Sequence, residues 1–284
     1  MTETYDVTVE DIVYLTTPTG PLLARLYVPA GEGPFPAVVS VHGGRWVSQS
    51  RLTNEVIDRA LAEAGIVVMA VDFRMPPEAR YPQPVGDINF AVRWLKREAQ
   101  RLHSDPALVG GIGTSSGGHQ IMLNALRYDD PRYAALPLEG FGASADLAFA
   151  VACWPVLDPL ARYHMALRKN MELHIQSHHA YWPDEAAMVE GNPQLILERG
   201  ESRALPPLLL IQGTADTTVP PEMTRRFFET FRDSGGNATL DLFEGKPHTF
   251  ITHEPDATES RAARAGIVRF VKAQTKDPRA RVFA

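Results

Sequence analysis

The sequence predicts an α/β fold with a mostly parallel central sheet and helices on both of its faces. Short, nearly continuous apolar runs at Ala37–Val41 and Ile66–Val71 are typical of strands that are buried on both faces. Between them, residues 54–64 have the apolar spacing of a helix and end at Gly65. Strands that alternate with helices in this way form parallel sheets covered on both sides.

The remaining elements extend the same pattern. The first two strands, 6–14 and 22–28, show strand-type alternation on either side of a turn at 18–21, which predicts an antiparallel pair. Further strands are expected at 108–112, 147–154, 208–211 and 238–243, and further helices at 87–102, 116–126, 221–231 and 258–273.

Residues 158–204 interrupt the alternation, since they show no clear strand pattern and are rich in histidine and aromatic residues. A loop of this length without secondary structure is uncommon in a compact domain. We therefore predict a helical cap inserted into a core that is formed by residues 1–157 and 205–284. The alternative is an extra packing layer that covers no site.

Composition excludes several classes of protein. The 284 residues carry a formal net charge of −6 without a basic cluster, so nucleic-acid binding is not expected. The only cysteine, Cys153, cannot form an intrachain disulfide, which fits a reducing, cytoplasmic location. The first ten residues do not have the pattern of a secretory signal, and the apolar runs are too short to predict a membrane span.

The candidate nucleophile follows the strand at 108–112, where the chain reads Gly113-Thr-Ser115-Ser-Gly117. This G-x-S-x-G pattern between a strand and a helix places the serine on a tight, strained turn, and the glycines leave room for the neighbouring backbone. The helix that follows directs its N-terminus at the site and favours developing negative charge. Alternatives are a Gly/Ser-rich turn without chemistry, and Ser116 as the nucleophile.

A serine hydroxyl needs a base with a pKa near neutral, and the base needs an acid that orients it. Asp216 lies in the loop after the strand 208–211, and His248 follows the strand that ends at Phe243. Both leave the carboxyl ends of neighbouring strands, where open α/β sheets place their sites. Taken singly, the aspartate is typical of a turn and the histidine of a surface. His253 is the other candidate base.

Glycines also follow the strand at 37–41, in His42-Gly43-Gly44-Arg45-Trp46. Such glycines let backbone N–H groups turn toward a tetrahedral oxyanion, with the backbone N–H of Ser116 as a further donor. The alternative is an ordinary Gly-Gly turn.

These motifs together resemble the hormone-sensitive-lipase-like and kynurenine-formamidase-like branches of the α/β-hydrolase superfamily. HGGRW resembles their HGGG or HGGxW segment, VDFRMPPE with Tyr81-Pro82 resembles their DYRLAPE…FP stretch, and GTSSGG resembles GDSAGG. GTADTTVP and KPHTF resemble the acid and histidine loops. The resemblance implies an α/β-hydrolase fold with Ser115 as nucleophile, His248 as base, Asp216 as its orienter and an oxyanion hole around Gly43, Gly44 and Ser116. Arg45 and Thr114 depart from the family pattern, which affects the choice of substrate.

Asp72 and Arg74 are expected to form a structural ion pair behind the site. The cap and the oxyanion segment supply the candidate substrate pocket, which consists of Arg45, Trp46, His178, His179, Tyr181 and Trp182. Arg45 suggests a substrate that bears a carboxylate, although a solvent-facing charge is the simpler interpretation. His174 and His178 have the i, i+4 spacing of a metal pair, but no third ligand follows them, so we expect neither a metal nor a cofactor.

The resulting functional prediction is a serine hydrolase that cleaves a carboxylic ester of a small molecule through an acyl-enzyme. An amide or N-formyl hydrolase would use the same three residues, and a non-catalytic ligand-binding protein would use the same fold. The sequence is also compatible with a homodimer.

Overall fold

The predicted α/β fold is confirmed in a computed structural model, which describes residues 4–140, 142 and 144–274. Eight strands form one sheet in the order β1-β2-β4-β3-β5-β6-β7-β8. The strands are β1 Val7–Thr17, β2 Gly20–Pro29, β3 Phe35–Val41, β4 Val67–Val71, β5 Ser104–Thr114, β6 Ala150–Cys153, β7 Leu208–Gly213 and β8 Ala238–Phe243. β1 pairs antiparallel with β2 and β2 antiparallel with β4, whereas all pairs from β4 to β8 are parallel.

The helices cover both faces of the sheet. They are α1 Glu55–Glu63, α2 Gln83–Glu98, α3 Ser116–Leu126, α4 Pro159–Arg168, α5 Glu172–Tyr181, α6 Glu185–Glu190, α7 Pro193–Glu198, α8 Pro221–Asp233, α9 Phe250–His253 and α10 Thr258–Ala273. Strands β3 and β4 are buried at every position because they have helices on both faces, which explains their uninterrupted apolar runs. Two apolar clusters, one on each face of the sheet, form the core.

Several predicted boundaries differ from the structure by a few residues, and two of them have a clear physical reason. α2 begins at Gln83 rather than at residue 87, since Pro84 lies in its first turn, where a missing N–H costs no hydrogen bond. β6 covers only Ala150–Cys153 of the predicted 147–154, and Trp154, with φ of 41°, turns the chain out of the strand before Pro155. Both differences lie at the ends of elements, where sequence patterns are weakest.

Residues 158–204 contain the four helices α4 to α7 and no strand, and all of these residues are described. Asp158, Asp184 and Asn192 cap α4, α6 and α7, because each side chain accepts a hydrogen bond from a backbone N–H in the first turn. Arg80 of the core donates to backbone carbonyls of His179, Ala180 and Trp182 at the end of α5. The helical segment is therefore tied to the core. The predicted core range also includes residues 1–3 and 275–284, which lie outside the described residues.

Candidate active site

Ser115 lies on the sharp turn between β5 and α3, with φ of 51° and ψ of −117°. This left-handed backbone is strained for a residue with a side chain and lifts the hydroxyl out of the sheet. The flanking glycines make the turn sterically accessible. A Cβ on Gly113 would lie 2.4 Å from the carbonyl oxygen of Gly117, and a Cβ on Gly117 would lie 2.2 Å from that of Val41. The G-x-S-x-G spacing is thus a packing requirement of this turn.

Three sequence-predicted residues meet at the carboxyl ends of β5, β7 and β8. His248 Nδ1 lies 2.7 Å from Asp216 Oδ2, and His248 Nε2 lies 3.0 Å from Ser115 Oγ. An ionised carboxylate only accepts hydrogen bonds, so Nδ1 carries the proton and donates it to Asp216. The lone pair of Nε2 consequently faces the Ser115 hydroxyl, which is the arrangement that a general base requires.

Asp216 is held in place by backbone and side-chain donors. Its Oδ1 accepts hydrogen bonds from the N–H groups of Thr218 and Val219, and its Oδ2 accepts one from Gln212 Nε2 as well as the one from His248. The Asp216 side chain is fully buried, so these four donors replace the water that solvates it in the unfolded chain. The loop after β7 therefore fixes the carboxylate that orients His248.

The segment after β3 approaches the nucleophile closely. A Cβ on Gly43 would lie 3.1 Å from Ser115 Cβ. Gly44 has φ of 100°, and its carbonyl accepts hydrogen bonds from the N–H groups of Val47 and Ser48, so the chain turns tightly here. The Ser116 hydroxyl accepts the backbone N–H of Trp46 at 3.0 Å and thereby ties this turn to the start of α3.

The two rival residues have other contacts. Ser116 is 1% exposed, and its Oγ accepts a hydrogen bond from the backbone N–H of Trp46. Its hydroxyl therefore does not face His248 as that of Ser115 does. His253 lies at the cavity edge, where its ring nitrogens are 3.3 and 3.4 Å from Thr249 Oγ1. The geometry favours Ser115 and His248.

Ser115 and His248 open into a cavity of about 390 Å³. The other residues that line it are Gly43, Gly44, Arg45, Gln49, Thr53, Asn54, Thr114, Trp154, His174, Thr218, Thr249, Thr252 and His253. A larger cavity of about 610 Å³ lies between α1 and α10, and Ser115, Asp216 and His248 are not among the residues that line it.

Of the six residues predicted for the substrate pocket, Arg45 lines this cavity and the other five do not. His178, Trp46, Tyr181 and Trp182 are at most 1% exposed. They pack together, with the Trp46 ring stacked on Tyr181 at 5.2 Å and edge-on to His178 at 5.1 Å. His179 is instead exposed and its Nε2 lies 2.8 Å from the hydroxyl of Tyr163. Trp46, Tyr181 and Trp182 thus form packing contacts and do not line the cavity at Ser115.

A buried histidine links this aromatic cluster to the core. His119 Nδ1 accepts the indole N–H of Trp46 at 3.1 Å, and its Nε2 donates to the carbonyl of Gly191 at 2.8 Å. Burial lowers the pKa of His119 to about 4, so its ring is neutral at pH 7 and can accept and donate at once. Trp46 therefore connects the Gly43-Gly44 turn to both α3 and α5.

The predicted ion pair between Asp72 and Arg74 does not form, and each residue has another partner. Arg74 binds the buried carboxylate of Asp87 with its side chain and its backbone N–H. Asp72 accepts hydrogen bonds from the backbone N–H and the guanidinium of Arg51. The reason is geometric, because Asp72 and Arg74 leave the end of β4 in different directions, toward α1 and α2.

The His174–His178 pair shows a different use of the i, i+4 spacing. His178 Nδ1 lies 2.8 Å from the carbonyl of His174, so its ring donates to the helix backbone. Burial and the nearby Arg162 lower the pKa of His178 to about 3, and burial lowers that of His174 to about 4. Within the described ranges, no group of three or more His, Cys, Asp or Glu side chains is arranged to hold a metal ion.

Sequence reasoning missed several residues around Ser115. Trp154 packs edge-on near His248 at 6.2 Å, Thr218 follows Asp216, and Thr249 adopts a left-handed backbone next to His248. A Trp-Pro pair directly after β6 was the one visible indication that this strand end is constrained. The other two are single threonines without a distinctive pattern.

Comparison with known proteins places this site in a family. The protein-family model described as BD-FAE matches residues 25–231 of this chain. Esterase LipC of Mycobacterium tuberculosis is 27% identical over 216 residues, which are 70% of this chain and 49% of LipC. The probable isoprenylcysteine alpha-carbonyl methylesterase ICMEL1 of Arabidopsis thaliana is 25% identical over 253 residues, which are 84% of this chain and 50% of ICMEL1. The chain thus spans about half the length of these curated relatives.

Solved structures agree over a larger share of both chains. The propionate-bound thermophilic esterase Est2 of Thermogutta terrifontis has a TM-score of 0.74 at 26% identity, with 92% of each chain covered. The same esterase phosphorylated by paraoxon has a TM-score of 0.73 at 25% identity, with 91% of each chain covered. These likenesses confirm the α/β-hydrolase fold, and the matched structures are themselves described as an esterase. Among the described residues, no helix has both the length and the apolar character needed to cross a bilayer.

Proposed function

The chain belongs to the BD-FAE family, and on this premise we propose that it is a serine carboxylesterase that hydrolyses small-molecule esters through a Ser115-His248-Asp216 triad. The observation that supports the proposal best is the continuous hydrogen-bonded line from Asp216 through His248 to Ser115, at 2.7 and 3.0 Å. Its relatives and structural neighbours are described as esterases, which favours an ester over an amide as the bond that is cleaved.

The geometry suggests the role of each group. His248 Nε2 takes the proton of Ser115 as Oγ attacks the ester carbonyl, and Asp216 stabilises the imidazolium that forms. His248 then gives this proton to the departing alcohol, which leaves an acyl group on Ser115. A water molecule that His248 deprotonates attacks the acyl-enzyme, so that the acid is released and Ser115 is restored.

The negative charge that develops on the carbonyl oxygen needs fixed donors. We assign this role to the backbone N–H groups of Gly43, Gly44 and Ser116, because Gly43 adjoins Ser115, Gly44 follows it in the same turn and Ser116 starts α3. Each such donor typically contributes about 3 kcal/mol to stabilisation of the transition state. The bond from Trp46 N–H to Ser116 Oγ would hold the two parts of this oxyanion hole together.

Hydrolysis of p-nitrophenyl acetate by the wild type and by Ser115→Ala tests the proposal. We expect kcat to fall by at least about 10⁴-fold in the variant. Treatment with paraoxon should add one diethylphosphoryl group, which fragmentation by mass spectrometry should locate on Ser115 and not on Ser116. Full turnover by Ser115→Ala, or an adduct confined to Ser116, would contradict the assignment.

The base is tested with a matched pair of histidine variants. His248→Gln should lose activity, whereas His253→Gln should keep it, since His253 contacts only Thr249 in the cavity region. Equal losses would refute the assignment of His248. A parallel comparison of an aryl formamide with the matching aryl formate measures the preference between amide and ester, and we expect the formate to be cleaved faster.

A further inference from the structure

Arg162 of α4 is a buried cation, and no anionic side chain pairs with it among the described residues. The residue is 0% exposed, and neither Nη1 nor Nη2 has a hydrogen-bond partner within the described part of the chain. The only hydrogen bond of its side chain in that part of the chain joins Nε to the carbonyl oxygen of Thr218, at 3.4 Å. The guanidinium carbon also lies 5.5 Å from the centre of the Trp46 ring, which provides a cation–π contact. A buried guanidinium normally has a carboxylate or phosphate partner.

The charge of Arg162 persists at neutral pH. Burial and the neighbouring Arg45 lower the pKa of Arg162 to about 10, which still leaves the guanidinium protonated at pH 7. Asp216 is the acid that acts on it electrostatically, but this carboxylate is occupied by His248, Gln212 and two backbone N–H groups. The positive charge next to the candidate site is therefore not neutralised by the residues around it.

Arg162 lies directly behind the wall of the cavity that contains Ser115. Thr218, which it contacts, lines this cavity, and so do Arg45 and His174, both of which Arg162 influences electrostatically. Arg45 is a second cation, and its Nε contacts only the neutral hydroxyl of Ser177, at 3.3 Å. In the described ranges neither arginine has a carboxylate oxygen within 4.0 Å. Two arginines thus lie at this cavity without a carboxylate partner in the described ranges, Arg45 in its wall and Arg162 behind the wall.

We propose that Arg45 and Arg162 form a subsite for a carboxylate on the substrate, so that the preferred ester carries a negative charge beside the bond that is cleaved. This inference rests on the proposed esterase function. Such a carboxylate would meet Arg45 first, and once the Arg45 and His174 side chains move aside it would pair with Nη1 and Nη2 of Arg162, which have no hydrogen bond to give up in the described ranges. The carboxylate can belong to the acyl part, as in a monoester of a dicarboxylic acid, or to the alcohol part, as in an ester of a hydroxyaromatic acid.

Two matched substrate pairs distinguish these sources. Ethyl hydrogen glutarate and its neutral analogue ethyl glutaramate place the charge on the acyl side, and 4-carboxyphenyl acetate and 4-carbamoylphenyl acetate place it on the alcohol side. In each pair a carboxylate is replaced by an amide of nearly the same shape. We expect kcat/KM to favour the anionic member of one pair by about 10-fold to 100-fold, mainly through a lower KM, as charged hydrogen bonds typically provide.

The decisive variants lie on one helix. Arg162→Met should bring the preference for the anionic ester close to 1 while the neutral ester is still hydrolysed. Arg168→Met is the matched control, because Arg168 is an exposed arginine of the same α4, and it should leave the preference unchanged. Arg162→Lys, which keeps the charge but not the forked geometry, should keep part of the preference.

A second measurement does not depend on the folding of Arg162 variants. Glutarate should inhibit hydrolysis of ethyl glutaramate by the wild type competitively, and Arg45→Gln should weaken this inhibition by about 10-fold. Wild-type protein that cleaves the neutral esters, shows no preference for either anionic ester and is not inhibited by glutarate would overturn the subsite. Protein that cleaves none of the four esters would instead refute the proposed esterase function.

Discussion

Replacing Gly117 by alanine tests the steric basis of the turn that carries Ser115. The new Cβ would lie 2.2 Å from the carbonyl oxygen of Val41 and 2.3 Å from that of His42. Ordinary Cβ contacts begin near 3.4 Å, so α3 and the end of β3 must separate by about 1 Å. Both contacts are with backbone atoms, which cannot rotate away as a flexible side chain can.

The separation carries Ser115 with it, because this residue immediately precedes α3. Its Oγ lies 3.0 Å from His248 Nε2, and a displacement of about 1 Å takes the pair beyond hydrogen-bond reach. A misplacement of this size typically lowers kcat by about 10²-fold. Overpacking should also lower the free energy of unfolding by about 1–3 kcal/mol.

The assay is kcat for p-nitrophenyl acetate, together with urea denaturation to show that the variant is folded. Gly86→Ala is the matched control, since Gly86 is a buried helical glycine whose Cβ would meet its nearest atom at an ordinary 3.5 Å. It should keep full activity and raise the free energy of unfolding by about 0.5–1 kcal/mol. A folded Gly117→Ala protein with kcat within twofold of the wild type would refute the steric argument.

Three further predictions concern buried polar groups. Asp216→Asn should lower kcat by about 10⁴-fold without a comparable change in KM, because an amide no longer selects the tautomer of His248 that faces Ser115; steady-state kinetics that show less than a tenfold loss would contradict this. Ser116→Ala removes the acceptor of the buried Trp46 N–H, so the free energy of unfolding should fall by about 1–3 kcal/mol in urea denaturation. An unchanged denaturation midpoint would contradict this. Burial raises the pKa of Asp58 to about 8, above its ordinary 3.8. The folded protein therefore binds this proton more tightly than the unfolded chain, and its free energy of unfolding falls as pH rises between these two values. Asp58→Asn should remove this fall in the free energy of unfolding, which is at most about 1.4 kcal/mol per pH unit. If the free energy of unfolding changes with pH equally in both proteins between pH 5 and 8, the prediction is wrong.

The sequence predicts the central elements and the residues around Ser115 well because the information is local. A buried parallel strand has its own apolar run, and residues just after such strands must meet at one edge of the sheet. Asp216 and His248 are 32 positions apart, yet each is identified by the strand that ends before it. The turn that carries Ser115 is local as well, since its two glycines, Gly113 and Gly117, are within two residues of Ser115.

The pocket was not predictable in the same way. Three of the predicted pocket residues are amphipathic aromatic residues, namely Trp46, Tyr181 and Trp182. Residues of this kind are equally typical of a pocket wall and of a packed layer. Which of the two forms depends on how α5 packs on the core, and this contact joins residues more than 100 positions apart. Arg162 shows the opposite case, because an arginine in a sequence normally indicates a surface and its burial arises only from tertiary packing.

Trp46 has a consequence for protein engineering. Its backbone N–H bonds to α3, its indole N–H bonds to His119, and its ring stacks on Tyr181 of α5. A chimera that receives residues 158–204 from a relative, but keeps its own 42–46 segment, would pair this ring with foreign neighbours and disturb the Gly43-Gly44 turn. Segments 42–46 and 158–204 should therefore be exchanged together, as one module, when the specificity of this scaffold is redesigned.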